Sequence, residues 1–331
     1  MDRRKKIAVV AGGYSGEWVV SMKSALTITE NLDSSIYDAY LVKIVDDKWS
    51  VELESRDVPL DKSDFSFEQN EQKISFDYAY IIIHGTPGED GILQGYFDLM
   101  DIPYNTGDSV NMSISFDKGM TQSALAGMGF LVAKNIVLYE QDTINAELIA
   151  KKLGYPCFIK PTRSGSSIGI SKVKSELELQ AAVLEARKEH ETVIIEEFLD
   201  GIEITCGVFR DGAGLCALPV TEIVSENDFF DYEAKYEDEK TQEITPARIS
   251  TELQETCQEL SKDIYTKFEC QGVVRIDYML VGEKIYVIEL NTVPGMSAES
   301  IVPKQLKVAG IKVKDLLSQI IQRKLNHQLL V

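Results

Sequence analysis

VVRIDYMLVGEKIYVIELN, Val273 to Asn291, governs how the rest of the chain is read. Val273 to Leu280 and Ile285 to Leu290 alternate apolar and polar side chains as the arms of an antiparallel hairpin do, with Gly282 to Lys284 as its loop. That loop sets Asp277 opposite Glu289 and Arg275 opposite Asn291, and alternation then puts all four side chains on one sheet face. Two carboxylates facing each other across a hairpin repel, an arrangement best tolerated with a cation between them. Oxygen-only donors point to magnesium, which binds through a few carboxylates plus substrate phosphates. The other reading is an ordinary antiparallel sheet whose polar face meets water, and the register is itself an inference.

Outward from this hairpin, TVIIEEFLDGIEITCGVF reads as two more antiparallel strands joined near Asp200 and Gly201. Glu196, Glu197 and Glu203 lie in and just after its first strand, where a carboxylate could accept from ribose hydroxyls or an adenine amine, or simply face solvent. Upstream, a strand at Cys157 to Lys160 runs into PTRSGSSIG. Its Gly165 and Gly169 give backbone freedom, Ser166 and Ser167 give hydroxyls, and Lys160 gives charge, which suits a loop over phosphates as well as a plain flexible turn. It is not a Walker A loop, because the GxxxxGK[ST] order is absent. Strand Gly169 to Val173 and a helix from Ser175 to about Lys188 follow, and helical periodicity runs earlier from Ser115 to Met128.

The chain opens with IAVVAGG, a continuous apolar run like a strand buried on both faces, then a helix from Ser21. YAYIIIHG, Tyr78 to Gly85, is a second such strand, and Gly91 to Met100 reads as a helix; residues 61–75 read as an exposed loop or irregular hairpin. His84 ends a buried strand, where active-site loops of α/β sheets gather, although a structural turn histidine fits too; His190 and His327 read as surface residues. Asn227 to Glu243 holds seven acidic residues with interleaved aromatics, and reads as a lid carrying Lys235 and Tyr236 or as a solvated loop.

At 331 residues the chain is long enough for two or three packed units with a cleft between them. Divided by these elements it gives an α/β unit over 1–108, a central unit over 109–190 and a carboxyl-terminal unit over 191–331. A net charge of -19 repels phosphate backbones and anionic lipids, so nucleic acid and membrane partners are not expected. Five scattered cysteines fit neither a disulfide framework nor a zinc site, and no span has the roughly 18 apolar residues of a membrane helix, so a reducing cytoplasm is expected. No GxGxxG follows the first strand, which argues against a nucleotide-dependent oxidoreductase; a protein that binds ATP without turning it over is the non-enzyme alternative.

Together GGYSGEWVVS, HGTPGEDGILQG, SFDK, IKPTRSGSSIGISKV, IEEFLDGIEIT, FFDYEAKY, TPA, GVVRIDYML and IELNTVPGMSAESIVP resemble the motifs of D-alanine:D-alanine ligases, an ATP-grasp family, in family order from residue 12 to residue 303. The resemblance implies an ATP-grasp fold, α/β and α+β, behind an amino-terminal α/β (Rossmann-like) domain. It implies ligation of two D-alanines through an acyl phosphate for peptidoglycan, using ATP and two Mg2+ (or Mn2+) ions, in a cytoplasmic homodimer. The alternative is a ligase with another second substrate, such as D-serine or D-lactate. Asp277, Glu289 and Asn291 are implied as metal ligands. Lys118, Lys160, Ser167 and Lys235 would contact phosphates, and Glu196, Glu197, Phe198, Leu199 and Glu203 would surround adenine and ribose. Glu17, Ser166 and Tyr236 would hold the first D-alanine and tie the lid down, with His84 and Glu89 nearby. Arg275 and the Gly295 backbone would bind the oxyanion, and Ser300 and Ile301 the second substrate's carboxylate. Tyr236 resembles members that use an amine acceptor. Trp18 and Val19 stand where the family often has polar or acidic residues, and Glu197 where it often has lysine.

Overall fold

The computed structural model describes residues 3–54, 56–165, 168–224 and 241–328. β1 (Lys5–Gly12) is the apolar opening run, and Ile7 through Ala11 are fully buried, as the inner strand of a parallel sheet requires. It pairs parallel with β2 (Tyr37–Val45) and β7 (Tyr78–Ile81), while β3 (Lys48–Leu53) and β4 (Arg56–Pro59) extend the sheet antiparallel in the order β4-β3-β2-β1-β7. Helix α1 (Trp18–Asn31) starts three residues earlier than expected, capped by Glu17, and α2 (Ile92–Leu99) follows β7.

The polar stretch expected to be an exposed loop or irregular hairpin is the two-stranded ribbon β5 (Ser66–Gln69) and β6 (Gln72–Ser75). Phe65, Phe67 and Phe76 around it are buried in an aromatic cluster with Phe97. The intervening charges hid those rings from a reading by average polarity.

The helix expected over 115–128 is α4 (Lys118–Gly127), which starts three residues later than expected because a separate helix, α3 (Ser109–Phe116), ends just before it. Asp108 and Asp117 accept from Asn111 N–H and Met120 N–H, and two N-caps of about 1 kcal/mol each favour a break over one long helix. β8 (Asn135–Leu138), α5 (Ala146–Lys152), β9 (Cys157–Pro161), β10 (Ser171–Val173), α6 (Glu176–Ala186) and β11 (Val193–Glu197) make a four-stranded sheet, order β10-β9-β11-β8, under two helices.

β12 (Ile202–Arg210) does not return along β11, so the hairpin expected near Asp200 is not formed. Residues 198–201 cross to a second sheet, β15-β14-β12-β16-β17 with β13 on β12. The strands there are β13 (Leu215–Ala217), β14 (Thr221–Val224), β15 (Gln242–Ile244), β16 (Val273–Val281) and β17 (Lys284–Asn291). Alternation marked both strands but could not say that they part company. α7 (Thr251–Lys267) covers the apolar face of this sheet.

α8 (Ile301–Val308) and α9 (Val313–Gln328) complete the chain's return. Leu316, Leu317, Ile320 and Ile321 of α9 are buried with Ile7, Val9 and Ile28, so the last helix closes one face of the first sheet. Residues of α1 and the turn after β7, of α4 and the loop after β9, and of β16 and β17 line one cleft.

Candidate active site

The β16–β17 hairpin pairs Asp277 with Glu289 and Arg275 with Asn291. The route differs from the expected one. Val281 pairs with Lys284, so the turn is only Gly282 and Glu283, and a bulge beyond Tyr278 restores the register. Alternation after the bulge turns Arg275, Asp277, Glu289 and Asn291 away from buried Ile276 and Leu290.

These side chains form one network. Arg275 forks onto Asp277, with Nε 2.9 Å from Oδ1 and a terminal nitrogen 2.8 Å from Oδ2. Asn291 Nδ2 donates to the same Oδ2 at 2.9 Å, and Thr205 Oγ1 donates to Oδ1 at 2.5 Å. Lys118 Nζ lies 3.3 Å from Glu289 Oε1 and donates to the Ser164 carbonyl at 2.7 Å. The Asp117 cap, which also accepts from Arg163 Nε at 2.9 Å, and a 2.8 Å bond from Lys118 N–H to the Thr162 carbonyl fix where Lys118 starts. Paired carboxylates here are balanced by an arginine and a lysine.

A cleft of about 730 Å3 opens beside this network. Arg275, Glu289 and Asn291 line it from the sheet, and Asp277 stands behind Arg275 rather than on the wall. Lys118 and Gly165 line it from the central unit. From the first unit come Glu17, at the start of α1, and His84 and Glu89, in the turn after β7. Ser21 anchors α1 there: its hydroxyl accepts from Gly12 N–H at 2.9 Å and donates to the Ile82 carbonyl at 2.6 Å. Gly165 packs against the Glu17 carboxylate, so an added Cβ would push that carboxylate aside.

Burial tunes the two titratable groups of the His84 turn. It pushes the Glu89 carboxyl up to about 8, with neighbouring Glu17 adding to the rise, while Gly85 N–H donates to Glu89 Oε2 at 2.7 Å. It also holds His84 below its ordinary value, against the pull of Glu17, and among the described residues His84 Nε2 is buried without a hydrogen-bond partner. At neutral pH, His84 is therefore an uncharged ring at the cleft wall.

The third wall is the turn into α8. Gly295 packs against Ser300, where an added Cβ would lie 2.7 Å from Oγ. Met296 N–H donates to Ser24 Oγ of α1 at 3.0 Å, and Ser297 and Ser300 share a hydrogen bond of 2.8 Å. Ser300 caps α8 without using its side chain for the cap, so Ser300 and Ile301 present the helix N-terminus to the cleft.

Toward the four-stranded sheet, Lys160 pairs with Glu196. Burial works to lower the Lys160 ammonium, but Glu196, Glu289 and Glu203 outweigh it and its pKa ends raised. Those three carboxylates thus share one cation across both sheets. Glu197 turns elsewhere, pairing with Lys134 at 2.9 Å, which gives the departure from lysine a local partner. Phe198 lies under Lys172 Nζ at 4.3 Å, and Leu199 is half-buried in the crossing. Ser166, Ser167, Lys235 and Tyr236 lie outside the described residues. His190, expected at the surface, is half-buried and 3.0 Å from Thr162 Oγ1.

Lys23, Thr205 and Glu243 were not singled out from sequence. Lys23 and Glu243 line the cleft, and Thr205 holds Asp277. Each lies in or beside a quoted motif, but only the sheet pairing of Thr205 with Asp277 reveals its role.

Among the described residues no three His, Cys, Asp or Glu side chains gather as a metal cage. Glu289 and the Asn291 amide oxygen, which line the cleft, fit a hard cation that takes its other oxygens from phosphates and water, and Asp277 joins them by exchanging its donors from Arg275 and Asn291 for the ion.

The family model described as D-ala D-ala ligase N-terminus matches residues 6–107, and that described as D-ala D-ala ligase C-terminus matches residues 124–322. The D-alanine--D-alanine ligase of Porphyromonas gingivalis is 46% identical over 97% of this chain and 98% of its own. That of Phocaeicola vulgatus is 44% identical over 97% and 99%. Among solved structures, the VanG D-Ala:D-Ser ligase from Enterococcus faecalis superposes with a TM-score of 0.86 at 31% identity, covering 97% of this chain and 99% of that one. A D-alanine--D-alanine ligase from Bacillus anthracis complexed with ATP gives 0.78 at 29%, covering 97% and 98%.

Proposed function

The chain belongs to the D-alanine--D-alanine ligase family, and from that premise we propose how its cleft joins two D-alanines at the expense of ATP, as an ADP-forming carboxylate-amine ligase serving peptidoglycan synthesis. The observation that carries the reading is the facing pair Asp277 and Glu289 with Asn291, balanced by Arg275 and Lys118 beside one cleft.

ATP occupies the space between the two sheets, with Lys118 and Lys160 on its phosphates and Glu196, Phe198, Leu199 and Glu203 around adenine and ribose. Glu197, which faces Lys134, contributes there through its backbone. Asp277, Glu289 and Asn291 would hold magnesium or manganese, two ions per site, which would neutralise charge on the transferring phosphoryl group. The first D-alanine sits by Glu17, His84 and Glu89. Its carboxylate oxygen attacks the γ-phosphorus, ADP leaves, and an acyl phosphate forms. The second D-alanine, its carboxylate at Ser300 and Ile301, attacks the acyl carbon with its free amine. Arg275 and the Gly295 N–H stabilise the oxyanion, and inorganic phosphate departs as the peptide bond closes. Ser166, Ser167, Lys235 and Tyr236 take their proposed roles, in the substrate group, on phosphate and in the lid, from the family resemblance alone.

Five free thiols suit a reducing cytoplasm, and among the described residues no helix is long and apolar enough to cross a membrane. A homodimer is the family expectation. The deciding experiment measures ADP and product with D-alanine alone and with D-alanine plus D-serine or D-lactate. D-Alanyl-D-alanine as the main product is expected. A mixed product in excess would move the chain to another acceptor, and ADP release without any ligation would overturn the reading.

A further inference from the structure

We propose that Gln305 is a positioning residue for the second amino acid: its side-chain amide replaces a missing rung in the Asp277 sheet and so sets the start of α8 against the network around Arg275. The proposal rests on the ligase reading of the cleft.

The outer edge of β12 is interrupted. Glu203 to Thr205 pair with β14, and Val208 to Arg210 pair with β13. Between those ladders, the Thr205 carbonyl and the Gly207 N–H receive the Gln305 carboxamide. Gln305 Nε2 donates to Thr205 O at 3.1 Å, and Gly207 N–H donates to Gln305 Oε1 at 3.1 Å. A primary amide offers the same donor and acceptor that a neighbouring strand's peptide would. The second Nε2 hydrogen reaches Thr221 Oγ1 at 3.0 Å, which shares a 2.7 Å bond with Thr245 Oγ1. Gln305 is fully buried, so leaving these groups unpaired carries the full desolvation penalty.

The fit is close. A Cβ at Gly207 would lie 2.7 Å from Gln305 Oε1 and 2.8 Å from Leu218 Cδ1, so the amide can approach only because that position is glycine. The consequence reaches both halves of the cleft. Thr205, which accepts from Gln305 through its carbonyl, donates through its hydroxyl to Asp277. Gln305 also lies on the short helix that begins beside Ser300, little more than a turn away. Lys304, its neighbour, pairs with Glu243 of β15 at 2.9 Å and ties the same helix to the sheet's edge. α8 is thus pinned to the strand that orients Asp277, and through Asp277 to Arg275.

Gln305→Met keeps the side chain's length and removes all three bonds, to Thr205 O, Gly207 N–H and Thr221 Oγ1. In the full-length enzyme it is expected to raise the KM for acceptor D-alanine about tenfold, the size of effect expected for losing hydrogen bonds at a buried site. The KM for ATP and ADP formation in the first half-reaction should stay within about twofold. Gln305→Glu supplies a readout that space-filling alone does not move. When protonated it can donate to Thr205 O and accept from Gly207 N–H, so its acceptor kcat/KM relative to wild type should climb as pH falls from 8.5 to 6. A folded Gln305→Met with unchanged acceptor KM, equal losses for ATP and acceptor, or a flat Gln305→Glu ratio overturns the proposal. If Gln305→Met does not fold, Thr221→Val removes one partner only and should shift the acceptor KM in the same direction; no shift there also overturns it. Wild-type enzyme that makes no dipeptide would instead defeat the ligase reading before any variant is compared.

Discussion

Glu89 gives the sharpest test of the cleft's electrostatics. Its carboxyl is buried, pushed up to about 8 by desolvation and then by Glu17, and it accepts a bond from Gly85 N–H. The unfolded chain ionises it near the ordinary 4.5, so the folded state binds the extra proton between those values. The raised pKa therefore contributes stability that is complete below about pH 4.5 and is lost as pH climbs through 8. At about 1.4 kcal/mol per pH unit, the whole loss is about 5 kcal/mol, of which about 3 kcal/mol has gone by pH 7. Glu89→Gln keeps the acceptor for Gly85 and removes the titration. Urea unfolding of both proteins from pH 5 to 9 should show wild type losing stability relative to the variant as pH rises, then levelling off above 8. A difference that stays constant within about 0.5 kcal/mol would mean Glu89 ionises as it does in water, and the account of a dry, doubly acidic cleft floor would fail.

Four further outcomes follow from the same geometry. Glu289→Gln should cut turnover by about 10²-fold or more with the far-ultraviolet spectrum unchanged, and a folded variant with wild-type turnover would remove Glu289 from the site. Chelating divalent ions should abolish ADP formation without moving the nucleotide-free unfolding midpoint, because Arg275 and Lys118 already balance the carboxylates; a lowered midpoint would show a structural ion. Leu317→Ala should cost about 2 to 5 kcal/mol in urea, since Leu317 is fully buried in the core shared by α9 and the first sheet, and a loss under about 1 kcal/mol would refute that packing. Ellman's reagent should label Cys216 ahead of the other four thiols, which are buried, with two fast-reacting thiols as the contrary result.

Much of this was legible in residue order because the informative signals were local. IAVVAGG announced a doubly buried strand, and the alternation of RID and ELN announced a shared face. The paired positions came out right although the turn is shorter than expected, since the bulge beyond Tyr278 returned the missing residue. What failed depended on distant partners. The strand at 193–197 and the strand at 202–210 look like a hairpin in sequence and belong to different sheets, a choice made by β9 and β16 rather than by residues 198–201. The burial of Phe65 and Phe67 depends on an aromatic cluster contributed partly by α2, and Gln305 earns attention only when the gap beside Gly207 is visible. Side-chain chemistry was readable one motif at a time; the cross-links between motifs were not.

The sealing of the first sheet by α9 has a further consequence during synthesis. Ile7, Val9 and Ile28 leave the ribosome early, but Leu316, Leu317 and Ile321, which cover them, arrive roughly 300 residues later, on the order of 15 to 60 s at about 5–20 residues per second. For that interval a greasy face stands open on a nascent chain whose first domain is otherwise complete. That face closes only once α9 has followed.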